Sequence, residues 1–236
     1  MKNPIFSINK LSFSQKNNKI LDINKFDFHR GTMYLFCGSM GSGKSTLMQI
    51  FSKKQNINSG ELFYEGEDIN KISSSLYSKD VVFLEQINKK PWLGSSVKAY
   101  MLKKIKSQLN VDSDKVFKKI CNTMKIPKYL LEKDISNLSE GEFRWVNLSI
   151  SIAIDSKVLI IDYLEKSLDS NKRIILNRVL KRKTSYDGVT IIATSYNPEL
   201  FKMSTSILIK MDNGRITQVR SFSQNHKNKP KSKKSK

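Results

Sequence analysis

The sequence predicts an α/β fold with a mostly parallel central sheet, and three features of the chain support this prediction. The stretches Val158–Ile161, Val189–Ala193 and Ile207–Met211 are continuous apolar runs, which are typical of parallel strands buried on both faces. The apolar run Met33–Cys37 leads through a glycine-rich turn into Leu47–Phe51, where the pattern predicts a helix. Residues 5–37 are otherwise rich in strand patterns, which predicts an additional antiparallel layer.

The N-terminal strands are separated by short polar turns. Ile5–Ile8 and Ile20–Phe28 have strand character, and the basic turn Gln15–Lys19 lies between them. A short strand is predicted within Ser59–Gly66, and a buried one at Val81–Leu84. We expect the antiparallel layer to come from this N-terminal region.

The middle of the chain has a different character and predicts a smaller helical subdomain at about residues 88–150. Residues 95–135 are polar and lysine-rich, with apolar residues at helical spacing, namely Val97, Met101, Leu102, Ile105 and Leu109. Near the C-terminus, Asp212–Gly214 predicts a tight hairpin turn before the strand Ile216–Val219. Residues 1–222 are therefore assigned to one domain. The lysine-rich tail at 223–236 is expected to be disordered.

Composition excludes several classes of protein. The chain has 236 residues, of which 39% are hydrophobic, so it can bury a normal core. No uncharged apolar run approaches the roughly 18 residues of a membrane span, and Met1–Ile5 lacks the apolar core of a signal peptide. Cys37 and Cys121 lie far apart in sequence and indicate no disulfide framework. A reducing cytoplasm is the expected environment.

The formal net charge is +21, and six lysines fall in the last ten residues, so most of the excess lies in the body of the chain. This excess of positive charge has two alternative explanations. Lysine greatly outnumbers arginine, and asparagine and isoleucine are abundant, as in proteins encoded by AT-rich genomes. The charge could instead favour anionic lipid headgroups or nucleic acid.

The glycine-rich turn fits the phosphate-binding pattern GxxxxGK[ST] at every fixed position, between a predicted strand and a predicted helix. Glycines let backbone N–H groups converge on phosphate oxygens, and the helix N-terminus adds partial positive charge. Lys44 would reach the β- and γ-phosphates, and the Ser45 hydroxyl would hold Mg²⁺. A turn that binds no ligand is the alternative. The predicted nucleotide-binding residues are Gly38, Ser39, Met40, Gly41, Ser42, Gly43, Lys44, Ser45 and Thr46.

Further motifs follow the loop in a fixed order. Gln86 comes after the strand Val81–Leu84, and Leu138–Glu142 reads Leu-Ser-Glu-Gly-Glu. Asp162 ends the apolar run that begins at Val158, where a strand-end aspartate could hold Mg²⁺ directly or through water. The segment Ser167-Leu168-Asp169 follows directly.

In order and spacing these motifs resemble the ATP-binding cassette (ABC) family of nucleotide-binding domains over roughly residues 5–220. The resemblance implies a P-loop NTPase core that binds ATP and Mg²⁺. It assigns Gln86, Ser139, Gly141, Glu142, Asp162 and Asp169 to nucleotide contact, and Ser45, Gln86 and Asp162 to the metal. In this family two cassettes pair head to tail, so Ser139 and Gly141 would face ATP bound by the partner cassette. The plain alternatives are a helix N-cap at Ser139 and an ordinary strand-end amide at Gln86.

The chain departs from the family at the positions that perform hydrolysis. Tyr163 stands where the family has the catalytic glutamate, and a phenol is a poor general base at neutral pH. Ser195 stands where the family has the switch histidine, and its hydroxyl lacks the reach and titration of imidazole. Glu165 lies two residues beyond Tyr163 and is a weaker candidate for the base.

Two other departures concern the residue that stacks on the adenine ring and the signature motif. Gln15 occupies the register of the aromatic residue that usually stacks on adenine, with Phe13 as a possible substitute or a core residue. In the signature, Glu140 replaces a glycine and Glu142 a glutamine. Trp145 stands where arginine is common, one residue after Arg144.

The resemblance implies the ATP-binding subunit of an ABC transporter, peripheral at the inner face of the cell membrane. Its expected partners are an integral membrane permease and a second cassette, identical or different, with no nucleic acid as first choice. The departures predict weak ATPase activity at the chain's own site. One alternative is a cassette that binds nucleic acid or ribosomes, and another is a regulatory cassette without hydrolysis.

Four remaining features carry weaker predictions. Cys37 could make nucleotide binding sensitive to oxidation, or it could be a small buried residue. His29 and His226 have no partners at metal-ligand spacing. Pro91–Leu93 could meet the membrane partner, or it could be a loop anchored by its tryptophan.

Overall fold

The computed structural model describes residues 3–87, 89–92, 94–108 and 112–222. The strands among these residues are β1 (Phe6–Gln15), β2 (Asn18–Phe28), β3 (Met33–Cys37), β4 (Ser59–Tyr64), β5 (Glu67–Asp68), β6 (Val81–Leu84), β7 (Val158–Ile161), β8 (Thr190–Thr194), β9 (Ile207–Asp212) and β10 (Arg215–Ser221). The α-helices are α1 (Lys44–Phe51), α2 (Ser74–Asp80), α3 (Val97–Gln108), α4 (Ser113–Met124), α5 (Lys128–Glu132), α6 (Glu140–Ala153) and α7 (Ser170–Ser185). The predicted α/β class is confirmed.

The central sheet has the strand order β10-β9-β3-β8-β7-β6. Every neighbouring pair from β9 to β6 is parallel, and β10 pairs antiparallel with β9. Register aligns Phe36 of β3 with Thr194 of β8, and Ile161 of β7 with both Ala193 and Leu84. The carboxyl ends of β3, β6, β7 and β8 therefore meet at one edge, where ligands bind in open α/β sheets.

The second sheet is the predicted antiparallel layer, in the order β2-β1-β4-β5. A register shift lies between Asn9 and Ser12 of β1, and Lys10 adopts a positive φ of 49° there. Gly60 of β4 approaches this bulge so closely that a Cβ on it would lie 2.1 Å from the Lys10 carbonyl oxygen. Only glycine fits this position.

Successive side chains of β3 face opposite sides of the sheet and so belong to two separate hydrophobic clusters. Tyr34 and Phe36 pack with α1 and the antiparallel sheet. Met33 and Leu35 belong to the cluster that contains residues of α3, α4, α6 and α7. The central sheet is thus covered on both faces, which fixes the loop that follows β3.

The predicted helical stretch at about residues 88–150 contains α3, α4, α5 and most of α6, which ends at Ala153. The boundaries at residues 88–150, and the single domain at 1–222, stay predictions. Leu93, Leu109, His226 and the tail at 223–236 lie outside the described residues. Helix α2 was not predicted, because its seven residues bury only Tyr77 and carry little periodicity. None of the helices within the described ranges is long and apolar enough to cross a membrane.

Candidate functional site

The glycine-rich segment Gly38–Gly43 connects β3 to α1, whose first residue is Lys44. Gly38 and Gly43 have positive φ values of 147° and 93°. A Cβ on Gly38 would lie 2.1 Å from the Met211 carbonyl oxygen of β9. Ser39, Met40 and Gly41 of this loop are exposed at the surface. A ligand can therefore reach this part of the loop from solvent.

The Lys44 ammonium is held inside this loop. Its Nζ donates hydrogen bonds to the carbonyl oxygens of Gly38 at 3.0 Å and Ser39 at 2.8 Å, and to the Ser42 hydroxyl at 2.9 Å. Burial lowers the pKa of Lys44, while the nearby Asp162 acts in the opposite direction. A glycine cradle, a helix N-terminus and a buried cation together fit a polyphosphate.

Asp162 directly follows β7 and is buried. Its Oδ1 accepts a hydrogen bond from the Thr194 hydroxyl at 2.6 Å, and the same hydroxyl accepts one from the Tyr163 N–H at 2.7 Å. Ser45 lies in the first turn of α1, and Gln86 lies two residues after β6. Asp162 and Gln86 follow the neighbouring strands β7 and β6, and Ser45 follows β3, which β8 separates from β7 in the same parallel sheet. Carboxylate, amide and hydroxyl oxygens suit this hard cation.

Arg144 of α6 joins the ends of two strands, a role that its sequence context did not predict. Its side chain is 3% exposed. One terminal nitrogen donates to the Glu85 carbonyl, and the other donates to the carbonyls of Asp162 at 2.7 Å and Tyr163 at 3.1 Å. Burial lowers the pKa of Arg144 to about 10, while Asp162 opposes this shift, so the group keeps its charge at neutral pH.

Lys166 links the glutamine segment to the signature within one chain. Its Nζ donates to the Gln86 carbonyl at 3.1 Å and pairs with the Glu140 carboxylate at 2.8 Å. This lysine is the main cause of the lowered pKa of Glu140. Gly141 packs against the next residue of the loop, since a Cβ there would lie 2.7 Å from the Ser167 carbonyl oxygen.

Ser139 caps the N-terminus of α6 in a capping box. Its hydroxyl accepts from the Glu142 N–H at 3.1 Å, and the Glu142 carboxylate accepts from the Ser139 N–H at 2.9 Å. Lys133 pairs with Glu142 at 2.9 Å. Within this chain Ser139 therefore has the contacts of a helix N-cap. Its N–H already donates to the Glu142 carboxylate.

This capping box predicts a small acid sensitivity. Lys133, followed by the Ser139 N–H, lowers the pKa of Glu142 in the folded chain. A lowered carboxyl pKa contributes stability at pH values above the unfolded value of about 4.3, and this contribution is lost as the pH falls through the folded value. We expect Glu142→Gln to remove part of the destabilisation on acidification, by less than about 1 kcal/mol. Urea unfolding at pH 7 and pH 3.5 measures it, and an equal acid loss in both proteins contradicts it.

The rings of Tyr163 and Tyr196 pack together beside the phosphate loop. Tyr163 has a positive φ of 62°, and its ring meets the Tyr196 ring edge to face, with centroids 4.9 Å apart and an interplanar angle of 88°. The Lys44 Nζ lies 5.1 Å from the centroid of the Tyr196 ring. No local pattern in the sequence distinguishes Tyr196, although it directly follows Ser195.

Glu165 and Ser195 bond to each other rather than standing open. Glu165 Oε1 accepts from the Ser195 hydroxyl at 2.9 Å, from the Tyr196 N–H at 2.6 Å and from the Asn197 N–H at 3.0 Å. Ser195 is buried. This placement favours Glu165 as an anchor for the turn after β8 over Glu165 as a general base.

The remaining predicted residues are placed as follows. Asp169 caps α7, accepting from the Lys172 N–H at 2.8 Å, and this bond is the first cause of its lowered pKa. Phe13 is buried in the core beneath the antiparallel sheet, while Gln15 is exposed at the end of β1. Phe13 is therefore a core residue and is not available to stack on a base.

The weaker sequence features can also be located. Cys37 is partly buried, and burial raises the pKa of its thiol, which disfavours the reactive thiolate. Trp92 is 93% exposed, so it does not anchor its loop. Within the described ranges, His29 belongs to no group of three or more residues arranged to hold a metal ion.

Known proteins share this architecture and sequence pattern. A family model described as ABC transporter matches residues 21–163, which is more than half of the chain. The chain is 24% identical over 197 residues to the probable iron export ATP-binding protein FetA of Escherichia coli (strain K12), covering 83% of this chain and 86% of that protein.

Two solved structures of ATP-binding cassettes have the same fold as this chain. The ATP-binding cassette MJ0796, in a dimeric post-hydrolysis state bound to ADP and Pi, matches with a TM-score of 0.82 and 15% identity, over 93% of this chain and 99% of that one. The cbiO1 protein from Clostridium perfringens, part of the ABC transporter complex cbiONQ, matches with a TM-score of 0.75 and 21% identity, over 93% of this chain and 89% of that one. At these identities the likeness shows the fold alone. Taken with the match of the family model, it identifies the chain as an ATP-binding cassette that belongs to the ABC transporter family.

Proposed function

We propose that this chain is the ATP-binding subunit of an ABC transporter whose own nucleotide site binds Mg·ATP and hydrolyses it slowly. The observation that carries the proposal is the pairing of a complete phosphate loop around Lys44 with Tyr163 and Ser195 at the hydrolytic positions. ABC cassettes bind ATP, typically with magnesium, and this loop has the residues that such binding requires.

Each residue at the sheet edge has a task in holding the nucleotide. The N–H groups of Gly38–Ser45 and the Lys44 ammonium would hold phosphate oxygens. Ser45, Gln86 and Asp162 would hold the metal, and Thr194 fixes the Asp162 carboxylate for this purpose. The metal, when bound, neutralises charge on the phosphates.

Slow hydrolysis follows from the contacts of the remaining candidates. Tyr163 is a poor base, and all three donors of the turn after β8 bond to Oε1 of Glu165, which holds this carboxylate against that turn, while its buried Oε2 has no hydrogen-bond partner among the described residues. Loss of a general base typically lowers a rate by about 10²–10⁴-fold. No residue described at this site then replaces the glutamate and histidine that the family uses.

Hydrolysis by the purified chain tests this proposal. With saturating Mg·ATP we expect stoichiometric binding, and phosphate release far below the ~10 s⁻¹ that is typical of enzymes. The control is a conventional cassette with the glutamate and histidine, assayed in the same buffer. Turnover at the rate of that control would contradict the proposal, and so would a failure to bind the nucleotide.

We also propose that the chain pairs head to tail with a second cassette and drives an integral permease at the inner face of the membrane. Dimeric MJ0796 and the cbiONQ complex support an assembly of this kind. Ile87 and Trp92, which are strongly exposed beside the glutamine segment, supply apolar surface for a partner. A second cassette that has its own glutamate and histidine would supply the turnover that this site lacks.

Affinity purification from native membranes tests the assembly. We expect the tagged chain to recover an integral membrane protein and a second cassette, and Trp92→Ser to lower the yield of the membrane protein. Tyr129→Ser, which removes another exposed aromatic side chain, on α5, serves as the control. Recovery of nucleic acid instead, in a salt-sensitive complex, would favour the alternative that the net charge suggested.

A further inference from the structure

Lys166 lies in the loop between β7 and α7, and its side chain is only 19% exposed. Its Nζ donates a hydrogen bond to the Gln86 carbonyl oxygen at 3.1 Å and pairs with the Glu140 carboxylate at 2.8 Å. Lysine side chains usually keep the ammonium in water, and they lose rotamer freedom when they are fixed. Two acceptors on different parts of the chain therefore hold this ammonium in one place.

Two cations hold the backbone of the chain directly after β6. Arg144 donates to the Glu85 carbonyl, and Lys166 donates to the Gln86 carbonyl. Both are hydrogen bonds from charged donors, which are stronger than those between neutral groups. Because the direction of a side chain is coupled to the conformation of its backbone, these two bonds limit where the Gln86 amide can lie.

The same two cations also hold the loop that carries another predicted metal ligand. Arg144 donates to the Asp162 carbonyl at 2.7 Å, and Lys166 itself belongs to the loop that follows Asp162. The chain segments after the neighbouring strands β6 and β7 are thus cross-linked by these side chains. Mg²⁺ demands near-ideal octahedral geometry, and residues that orient metal ligands strongly affect the affinity for the metal.

We propose that Lys166 is a positioning residue for Mg²⁺, which acts by holding the Gln86 carbonyl and so placing the Gln86 amide. The inference rests on the proposed function, because it requires that Gln86 helps to hold the metal of Mg·ATP. Lys166 then contributes to the affinity for Mg·ATP and not to the affinity for metal-free ATP. Arg144 is less suited to a test of this role, because its removal affects three carbonyls at once.

A purely electrostatic role for Lys166 predicts the opposite order of effects. Metal-free ATP carries more negative charge than Mg·ATP, so the loss of a nearby positive charge would weaken the binding of metal-free ATP more. The loss of a positioning residue instead weakens only the part of the affinity that depends on the metal. A comparison of the two forms of the nucleotide therefore separates the two roles.

Calorimetric titration with ATP, in magnesium and in EDTA, tests the inference. We expect Lys166→Met to raise the Kd for Mg·ATP about tenfold, at the lower end of the range for residues that orient metal ligands. The Kd for metal-free ATP should stay within about twofold of that of the unaltered chain. Lys166→Arg keeps a charged donor and should restore part of the affinity for Mg·ATP. Lys183→Met, which removes a similarly buried and ion-paired lysine near the C-terminus of α7, should change neither Kd.

Three results for Lys166→Met would overturn the inference. A larger loss for metal-free ATP than for Mg·ATP would mean that the lysine acts through its charge. An equal loss for both forms would mean that it supports the site without regard to the metal. An unchanged Kd for Mg·ATP would mean that Gln86 does not need this support. In each case the unaltered chain still binds Mg·ATP, whereas no binding by the unaltered chain would overturn the proposed function as well. Near-ultraviolet circular dichroism of each variant checks that the fold is retained.

Discussion

Lys44→Ala is expected to weaken the binding of Mg·ATP by about ten- to a hundredfold, since hydrogen bonds to charged groups contribute about 1.5–3 kcal/mol. The ammonium is the buried cation at the centre of the cradle. Its removal deprives the phosphates of a charged donor, and it also leaves the Gly38 and Ser39 carbonyls without that partner. Calorimetry with Mg·ATP measures the loss directly.

Two further variants separate the role of this lysine from the general effect of charge. Lys44→Arg keeps the charge but carries a larger planar group into a tight loop, so we expect partial loss of affinity. Lys25→Ala removes an equal charge from an exposed position on β2 and should leave the affinity unchanged. If Lys44→Ala bound Mg·ATP as tightly as the unaltered chain, the loop would not be the nucleotide site, and every proposal built on it would fail.

The sequence predicted those parts of the site that depend on local pattern and on strand order. The apolar runs before Gly38, Gln86 and Asp162 identified three strands, and parallel pairing necessarily brings their carboxyl ends to one edge. The helix after the loop followed from its apolar spacing, and the hairpin at Asp212–Gly214 from its turn residues. These features need no knowledge of side-chain contacts.

The parts that could not be predicted depend on contacts between residues that are distant in sequence. Nothing local indicates that Glu165 anchors the turn after Ser195, thirty residues away, or that Tyr196 lies over Lys44. No local pattern indicates that Lys166 bridges Glu140 and the Gln86 carbonyl. The chain has 42 lysines and arginines, so the sequence alone does not distinguish the few cations that have a specific structural role.

Arg144 is the clearest example, and it supports the second large prediction. We expect Arg144→Met to lower the free energy of unfolding by about 3 kcal/mol or more, because it leaves the Glu85, Asp162 and Tyr163 carbonyls without this donor in a buried region. Methionine fills much of the volume but donates no hydrogen bond. The nearby Asp162 carboxylate also loses a neighbouring positive charge.

Urea unfolding followed by tryptophan fluorescence measures this loss, since Trp145 is buried next to Arg144. Arg144→Lys should be intermediate, because a single ammonium cannot reach three carbonyls in the geometry of a planar guanidinium. Arg178→Met, at an exposed position on α7, is the matched control and should shift the midpoint little. Equal midpoints for Arg144→Met and Arg178→Met would contradict the prediction. A loss confined to Arg144→Met would show that this buried cation holds the signature helix against the strand ends that carry Gln86 and Asp162.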